Sequence, residues 1–515
     1  MQITRTRGSS LIVAVVALLM LSIIALSPAT AQDGGTLRVG LNAPIQLDPA
    51  LQSNDPEAAF NRAIYDFLVD INASNEIVPN LASDWSVSDD GLIYTFTLVE
   101  GVTFHDGTPM TSADAVFTFN RLKEVGSPAI NLLGSDFEVS APDTSNVVFT
   151  LTQVNADFLF GIGSRWTGIL KDGSASPNVL GEGDMAYASF NGTGPFMLTE
   201  YRPEDGATLT ANPNYWKAGE PMLSGLEFVF IEDPIAQADA LATDVVDFIF
   251  KVPIEQYVSL ENTDGVTTLS RPTSQHPVIR LRTDEGFAGA DPNVRLAFKY
   301  ATDRELANDL VLQGRGVIGN NDPISPVFGS FFDATIENQP YDPAQSCALL
   351  AEAGYPDGLD MTLYTPDSLG YPDLATVLQQ MWGPACINVN IEVRPENAYY
   401  SSNEWFDVEL GITGYGARPT PQQFLVEAYA SDGLYNETRW SNDTLDSLIA
   451  QSGQTVDETE RAAVFAQIAR LFHDEGPIVI PWFAPMLAAA RDNVQGLDVN
   501  PFPGLTDFRS VSLSS

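Results

Sequence analysis

Residues 82–98, Ala-Ser-Asp-Trp-Ser-Val-Ser-Asp-Asp-Gly-Leu-Ile-Tyr-Thr-Phe-Thr-Leu, leave the chain little choice of local structure. Asp90-Gly91 supplies a turn, and Tyr94, Phe96 and Leu98 share one face with polar residues between them, the period of a half-buried strand in a hairpin. The period then changes. Thr111-Ser-Ala-Asp114 resembles a capping box opening a helix that runs to about Glu124. The same switching recurs along the chain. Strand signals lie at Gly35–Leu41, Asn146–Leu151, Leu226–Ile231 and Pro477–Pro481. Helical spacing marks Asp55–Val69 (Phe60, Ile64, Phe67, Leu68), Pro292–Gln313, Pro343–Ala353 and the face formed by Val464, Ile468, Leu471 and Phe472. Strands and helices that alternate throughout predict a mixed α/β class. No internal repeat is present, and 515 residues suffice for two to four domains with cores of their own.

The N-terminus carries Arg5 and Arg7, an apolar run from Leu11 to Leu26, and the small-residue pattern Pro28-Ala-Thr-Ala31, the layout of a secretory signal peptide over residues 1–31. The run is shorter than the roughly 20 apolar residues a spanning helix requires. No cysteine lies near the cleavage point to carry a lipid. The expected mature chain is therefore soluble and secreted, periplasmic or extracellular, starting near Gln32.

Acidic residues outnumber basic ones 67 to 25, giving a net charge of −42. A phosphate backbone demands clustered Lys and Arg, so nucleic acid is excluded as a partner. The acidity reads either as a solubilising surface or as adaptation to salty surroundings, where such charge is screened. Cys347 and Cys386 are the two cysteines. An oxidising compartment allows them to pair, and two buried free thiols is the alternative, because sequence gives no Cα separation. Together with the scattered His105, His276 and His473 they form no metal-site spacing, so neither metal nor cofactor is expected. Gly314-Arg-Gly-Val-Ile-Gly319 has the glycines of a dinucleotide loop, but it follows a helix and runs into Asn-Asn-Asp-Pro, which makes it a turn. No nucleophile elbow, phosphate-binding loop or zinc-hydrolase motif occurs, so the chain is not read as an enzyme.

Several segments, taken in order, resemble the family 5 substrate-binding proteins of ABC importers, a family of dipeptide, oligopeptide and nickel receptors. They are 82–98 with Gly101-Val-Thr-Phe-His-Asp-Gly107 and Thr111–Val116, Gly192-Thr-Gly-Pro-Phe196, Asn212-Pro-Asn-Tyr-Trp216, Asp291–Ala297 with Ala301-Thr-Asp-Arg304, and Tyr341-Asp-Pro343 leading to Ala353–Gly358. The resemblance implies a bilobed periplasmic-binding-protein-like α/β fold, type II in its large cluster C form. Lobe I would comprise 32–52, 188–270 and 483–515, with an extra subdomain at 53–187, and lobe II would comprise 271–482. Two crossing strands would join the lobes. It further implies a receptor, by expectation monomeric, that encloses a small solute and delivers it to an ABC permease; some members also report to a signalling partner. An exported hydrolase of peptides or glycans, or a nickel or haem receptor on the same scaffold, are the alternatives.

Peptide-binding members of the family place an aspartate after a glycine-rich turn in lobe II to meet the ligand's amino terminus. The matching stretch, Gly411-Ile-Thr-Gly-Tyr-Gly-Ala-Arg-Pro-Thr-Pro-Gln-Gln-Phe424, lacks it, and Arg418-Pro419 or Thr420-Pro421 stands in its place. A guanidinium suits a carboxylate, which predicts a peptide-like or otherwise carboxylated solute. The alternative is that Arg418 pairs with an internal acid. Tyr415, Trp382, Trp405, Trp482 and Phe483 are candidates for apolar walls. Asp48, Asn321 and Asp322 are candidates for polar contacts.

Overall fold

The computed structural model describes residues 34–177, 189–401 and 404–514. The signal segment of the sequence reading lies outside them. Three sheets organise the chain. The first has seven strands, in the order Val266–Arg271, Met486–Arg491, Phe248–Phe250, Thr36–Leu41, Gly225–Phe230, Gly206–Ala211 and Phe196–Arg202. Its central strand, Thr36–Leu41, runs parallel to both neighbours. Leu37, Val39, Phe228 and Phe248 are fully buried there, each stabilising by about 1.5–3 kcal/mol.

The segment that reads most plainly in sequence, 82–98, forms the hairpin Ala82–Val87 and Ile93–Leu98, within a four-stranded antiparallel sheet completed by Asn146–Leu151 and Phe137–Asp143. Its alternation is met residue by residue: Tyr94, Phe96 and Leu98 are buried, whereas Ile93 and Thr97 are exposed. Gly91 sits at φ +71°, where a Cβ would be strained. The helix Ser112–Glu124 covers the sheet, and the Asp114 carboxylate accepts from the Thr111 backbone N–H at 2.7 Å. Phe96, Phe119, Phe149 and Phe158 pack into a core of its own.

The third sheet has the order Ile387–Arg394, Leu359–Pro366, Leu410–Tyr415, His276–Leu281 and Ile478–Val479. Helices Pro292–Tyr300 and Tyr371–Trp382 pack on it. Cys347, in the helix Pro343–Glu352, is disulfide-bonded to Cys386, just ahead of the strand Ile387–Arg394, with the Cα atoms 5.2 Å apart. Of the two sequence alternatives, the disulfide is the one formed.

The chain passes between the first and third sheets twice, at 272–275 and at 484–485. The two passages are bonded to each other: the Ala484 N–H donates to Gln275 O at 2.7 Å and the Thr273 hydroxyl to Ala484 O at 2.6 Å. The molecule is bilobed about this pair of crossing segments. Buried charge fastens the pieces of the first lobe. Arg121 grips Asp48 through both guanidinium ends, and Arg509 near the C-terminus meets Asp70 at 2.6 Å. Among the described residues no helix is long and apolar enough to cross a membrane.

Candidate ligand cleft

A cavity of about 940 Å³ lies between the lobes. One wall comes from 51–53, 131–137, 151–157 and 164–166, the other from 417–435. On the first wall, Gln52 follows a single helical turn, Pro49–Leu51, that Asp48 caps by accepting from the Ala50 N–H at 3.0 Å. The Gln52 amide N–H group donates to Pro49 O and Arg165 O, which fixes the side chain, and its Oε1 is buried with no hydrogen-bond partner among the described residues. Ser164 Oγ is left in the same condition. Trp166 donates its indole N–H to Gln52 O at 2.7 Å, and Arg165 is held by Asp55 at 2.8 Å.

The second wall begins where the strand Leu410–Tyr415 ends. The Ser274 hydroxyl, on the first crossing segment, donates to Arg418 O and accepts from its N–H, both at 2.8 Å, so this wall is tied to the hinge. The helix Pro421–Phe424 widens into a π-helical turn at Leu425–Tyr429, an irregularity common at functional sites. Gln423, Val426 and Glu427 line the cavity from it. Arg418 Nε stands 3.6 Å from Glu427 Oε2, too long for a hydrogen bond, and has no hydrogen-bond partner among the described residues; Gln423 Oε1 has none either. Val426, Leu434 and Tyr435 expose apolar surface on this side.

Arg418 is thus the one sequence-predicted site residue that lines the cavity, and it is also next to an internal acid, so both sequence alternatives meet at one side chain. The others lie elsewhere. Tyr415 is buried behind the wall, stacked on His276, with its hydroxyl 3.2 Å from Glu437 Oε1. Trp382 is fully buried against Phe298 and donates to Thr302 Oγ1 at 3.0 Å. Trp482 and Phe483 fill cores on either side of the third sheet. Trp405 is buried beside Tyr400 and Tyr435, and its carbonyl accepts from Arg280. Asp48 is bound to Arg121. Asn321 accepts from Arg304 at 2.7 Å and donates to Gln339 at 3.0 Å. Large aromatic and polar side chains near the cleft in sequence are therefore drawn into cores and buried pairs. The wall falls instead to Gln52, Trp166, Gln423 and Tyr435, for which spacing gave no signal.

Asp322 is fully buried; its Oδ1 accepts from the Ile324 N–H at 2.8 Å and its Oδ2 has no partner among the described residues. Burial pushes its carboxyl up to about 8 from the usual 3.8. The folded state then binds more protons than the unfolded one between these values. Its contribution to stability is present below pH ~4 and is lost as pH rises through ~8. Asp322→Asn is expected to remove that slope, which is at most about 1.4 kcal/mol per pH unit, and to leave the variant the more stable protein at pH ~8. Denaturation curves of both proteins at pH ~5 and ~8 check this; an equal pH dependence would contradict it.

Comparison with known proteins bears on the whole chain. The family model described as bacterial extracellular solute-binding proteins, family 5 middle, matches residues 76–436. Heme-binding protein A of Haemophilus influenzae is 26% identical over 92% of this chain and 91% of its own. Di/tripeptide-binding protein 2 of Pseudomonas aeruginosa is 28% identical, over 85% of this chain and 87% of its own. Among solved structures, the ABC transporter substrate binding protein CtaP from Listeria monocytogenes superimposes with a TM-score of 0.82 at 23% identity, covering 94% of this chain and 100% of that one.

Proposed function

This chain belongs to the bacterial extracellular solute-binding proteins of family 5, and we propose that it captures a peptide-like or otherwise carboxylated small solute between its lobes and hands it to an ABC permease. The observation that carries this reading is the cavity of about 940 Å³ with one wall from each side of the crossing segments. A solute touching both walls binds the closed arrangement better than the open one, and that differential affinity drives closure. The permease can then read closure as occupancy. The family is one of binding proteins, so we assign no reaction to the cleft. The N-terminal reading and the extracellular solute-binding family support export to the periplasm or beyond the cell.

The chemistry of the walls supports the solute class. Gln52 and Gln423 line the two walls, and the Oε1 of each has no hydrogen-bond partner among the described residues; such acceptors suit the N–H groups of a peptide-like solute. Val426, Leu434 and Tyr435 offer apolar surface to side chains. The Arg418 side chain has only long contacts, 3.6 Å to Glu427 and 3.4 and 3.5 Å from Nη1 to Gly416 O and Ala417 O, and a carboxylate offers its fork a better partner. The relatives named for dipeptides, tripeptides and glutathione bind solutes of this class.

Native mass spectrometry of the gently purified protein tests the reading: the expected result is one small carboxylated or peptide-like solute per chain, absent from Arg418→Glu purified in the same way. Retention of the solute at equal occupancy by the variant would remove Arg418 from the site. An empty protein that also gives no thermal shift with di- and tripeptides or amino-acid conjugates would overturn the solute class.

A further inference from the structure

Asp157 and Arg461 are 304 residues apart and belong to opposite lobes. Their side chains are only 6% and 4% exposed. Arg461 Nη1 donates to Asp157 Oδ1 at 2.7 Å, and the Thr420 hydroxyl, also from the far lobe, donates to Oδ2 at 3.0 Å. Both carboxylate oxygens are therefore engaged across the cleft. Around them the Ala156 N–H donates to Gly453 O at 2.9 Å and the Asn75 amide to Pro419 O at 2.9 Å, while Ala417 packs on Ile71, Phe502 and Leu505.

We propose that Asp157, Arg461 and Thr420 form a latch that draws the lobes together, making Asp157 a positioning residue that sets solute affinity through closure. The inference rests on the receptor reading for its consequence, but not for its geometry. A buried ion pair often returns no more than its desolvation costs, so the question is how much is lost on closing. Here each residue is also bonded within its own lobe. Arg461 Nε donates to Ser452 O at 2.8 Å, and the guanidinium lies over Phe331 and Phe465, at 5.3 and 5.2 Å, all within its own lobe. The Asp157 N–H donates to Asn155 Oδ1 at 3.0 Å within the other. Much of the guanidinium is thus out of water, and its fork is aimed, before Asp157 arrives, so closing adds the attraction with little further ordering.

Removing the negative charge leaves Arg461 buried and unpaired in the closed state alone, which favours opening. Because a receptor that is less often closed binds with an apparent Kd raised by the lost closed fraction, the latch acts on affinity through the population of the closed state.

Amide hydrogen exchange on the purified protein reads the latch with no solute added. In Asp157→Asn the Ala156 amide, whose acceptor Gly453 O is on the opposite lobe, is expected to exchange at least ~10-fold faster, with an increased radius of gyration by X-ray scattering. Phe96 and Phe149, in the adjacent sheet, should keep their protection. Thr420→Val, which leaves Asp157 and its lobe untouched, should shift Ala156 in the same direction by less. Unchanged Ala156 exchange in both variants would overturn the proposal, and so would acceleration of Ala156, Phe96 and Phe149 together, which reports a loosened domain. Failure here leaves the receptor reading intact, and an empty cleft in mass spectrometry leaves the latch intact.

Discussion

Arg280→Leu is expected to destabilise the second lobe by about 3–5 kcal/mol, the range for removing one partner of a buried ion pair. Arg280 is fully buried on the strand His276–Leu281. Its Nε donates to Glu437 Oε2 at 2.8 Å, its Nη1 to Val408 O at 2.8 Å, and its Nη2 to Trp405 O. Glu437 accepts in addition from Thr413 Oγ1 at 2.6 Å and from the Tyr415 hydroxyl at 3.2 Å. Burial raises the Glu437 carboxyl above its usual range, and the Arg280 guanidinium opposes that rise. With Arg280 gone the opposition goes too.

The loss therefore carries a pH signature. A carboxyl raised further in the folded state gives stability that is present at acid pH and lost as pH rises through its folded value, so Arg280→Leu should be least harmful near pH ~4 and worst near neutrality. Glu437 also closes the loop that brings Asp432, Leu434 and Tyr435 to the cavity, so solute affinity should fall with stability. Arg280→Leu with Glu437→Leu should recover part of the loss, since no charge is then stranded. Chemical denaturation at two pH values checks all three variants; a pH-independent loss in Arg280→Leu would remove the charge argument and leave only packing.

What could be read from sequence, and what could not, divides by the range of the interaction. The hairpin at 82–98 and the capped helix at Ser112–Glu124 are specified by neighbours within a few residues, and period and cap chemistry report them directly. Arg418 came from the resemblance, as the residue standing where the family's aspartate is expected, and it lines the cavity. Trp382 and Trp482 were not legible. An aromatic side chain satisfies a core as well as a pocket, and nothing within its own stretch says which face it takes. Asp322 and Asn321 sit beside a turn, as cleft residues often do, yet both are fully buried. The residues that build the first wall, Gln52 and Trp166, meet through a hydrogen bond 114 positions apart. Asp157 and Arg461 meet across 304. No spacing rule joins such pairs; only the completed topology does.

Removing the disulfide, by reduction or by Cys347→Ser with Cys386→Ser, is expected to destabilise the second lobe by about 4 kcal/mol in the chain-entropy model, given a sequence separation of 39. The closed loop holds the strand Leu359–Pro366 and the helix Tyr371–Trp382, whose Leu374, Leu378 and Trp382 are fully buried in the lobe core. Opening it frees in the unfolded state the segment that contributes most of that helix face. For a lobe of this size about 2–4 °C is lost per kcal/mol, so a drop of roughly 8–16 °C is expected in calorimetry with reductant. Neither sulfur lies on the cavity, and the four-stranded sheet has a separate core, so solute occupancy below the transition and the unfolding of that sheet should be unchanged. An unaltered transition temperature would mean that the unfolded chain is already compact between these residues. A disulfide of this kind persists where the surroundings are oxidising, which ties the stability of the second lobe to the redox state around it.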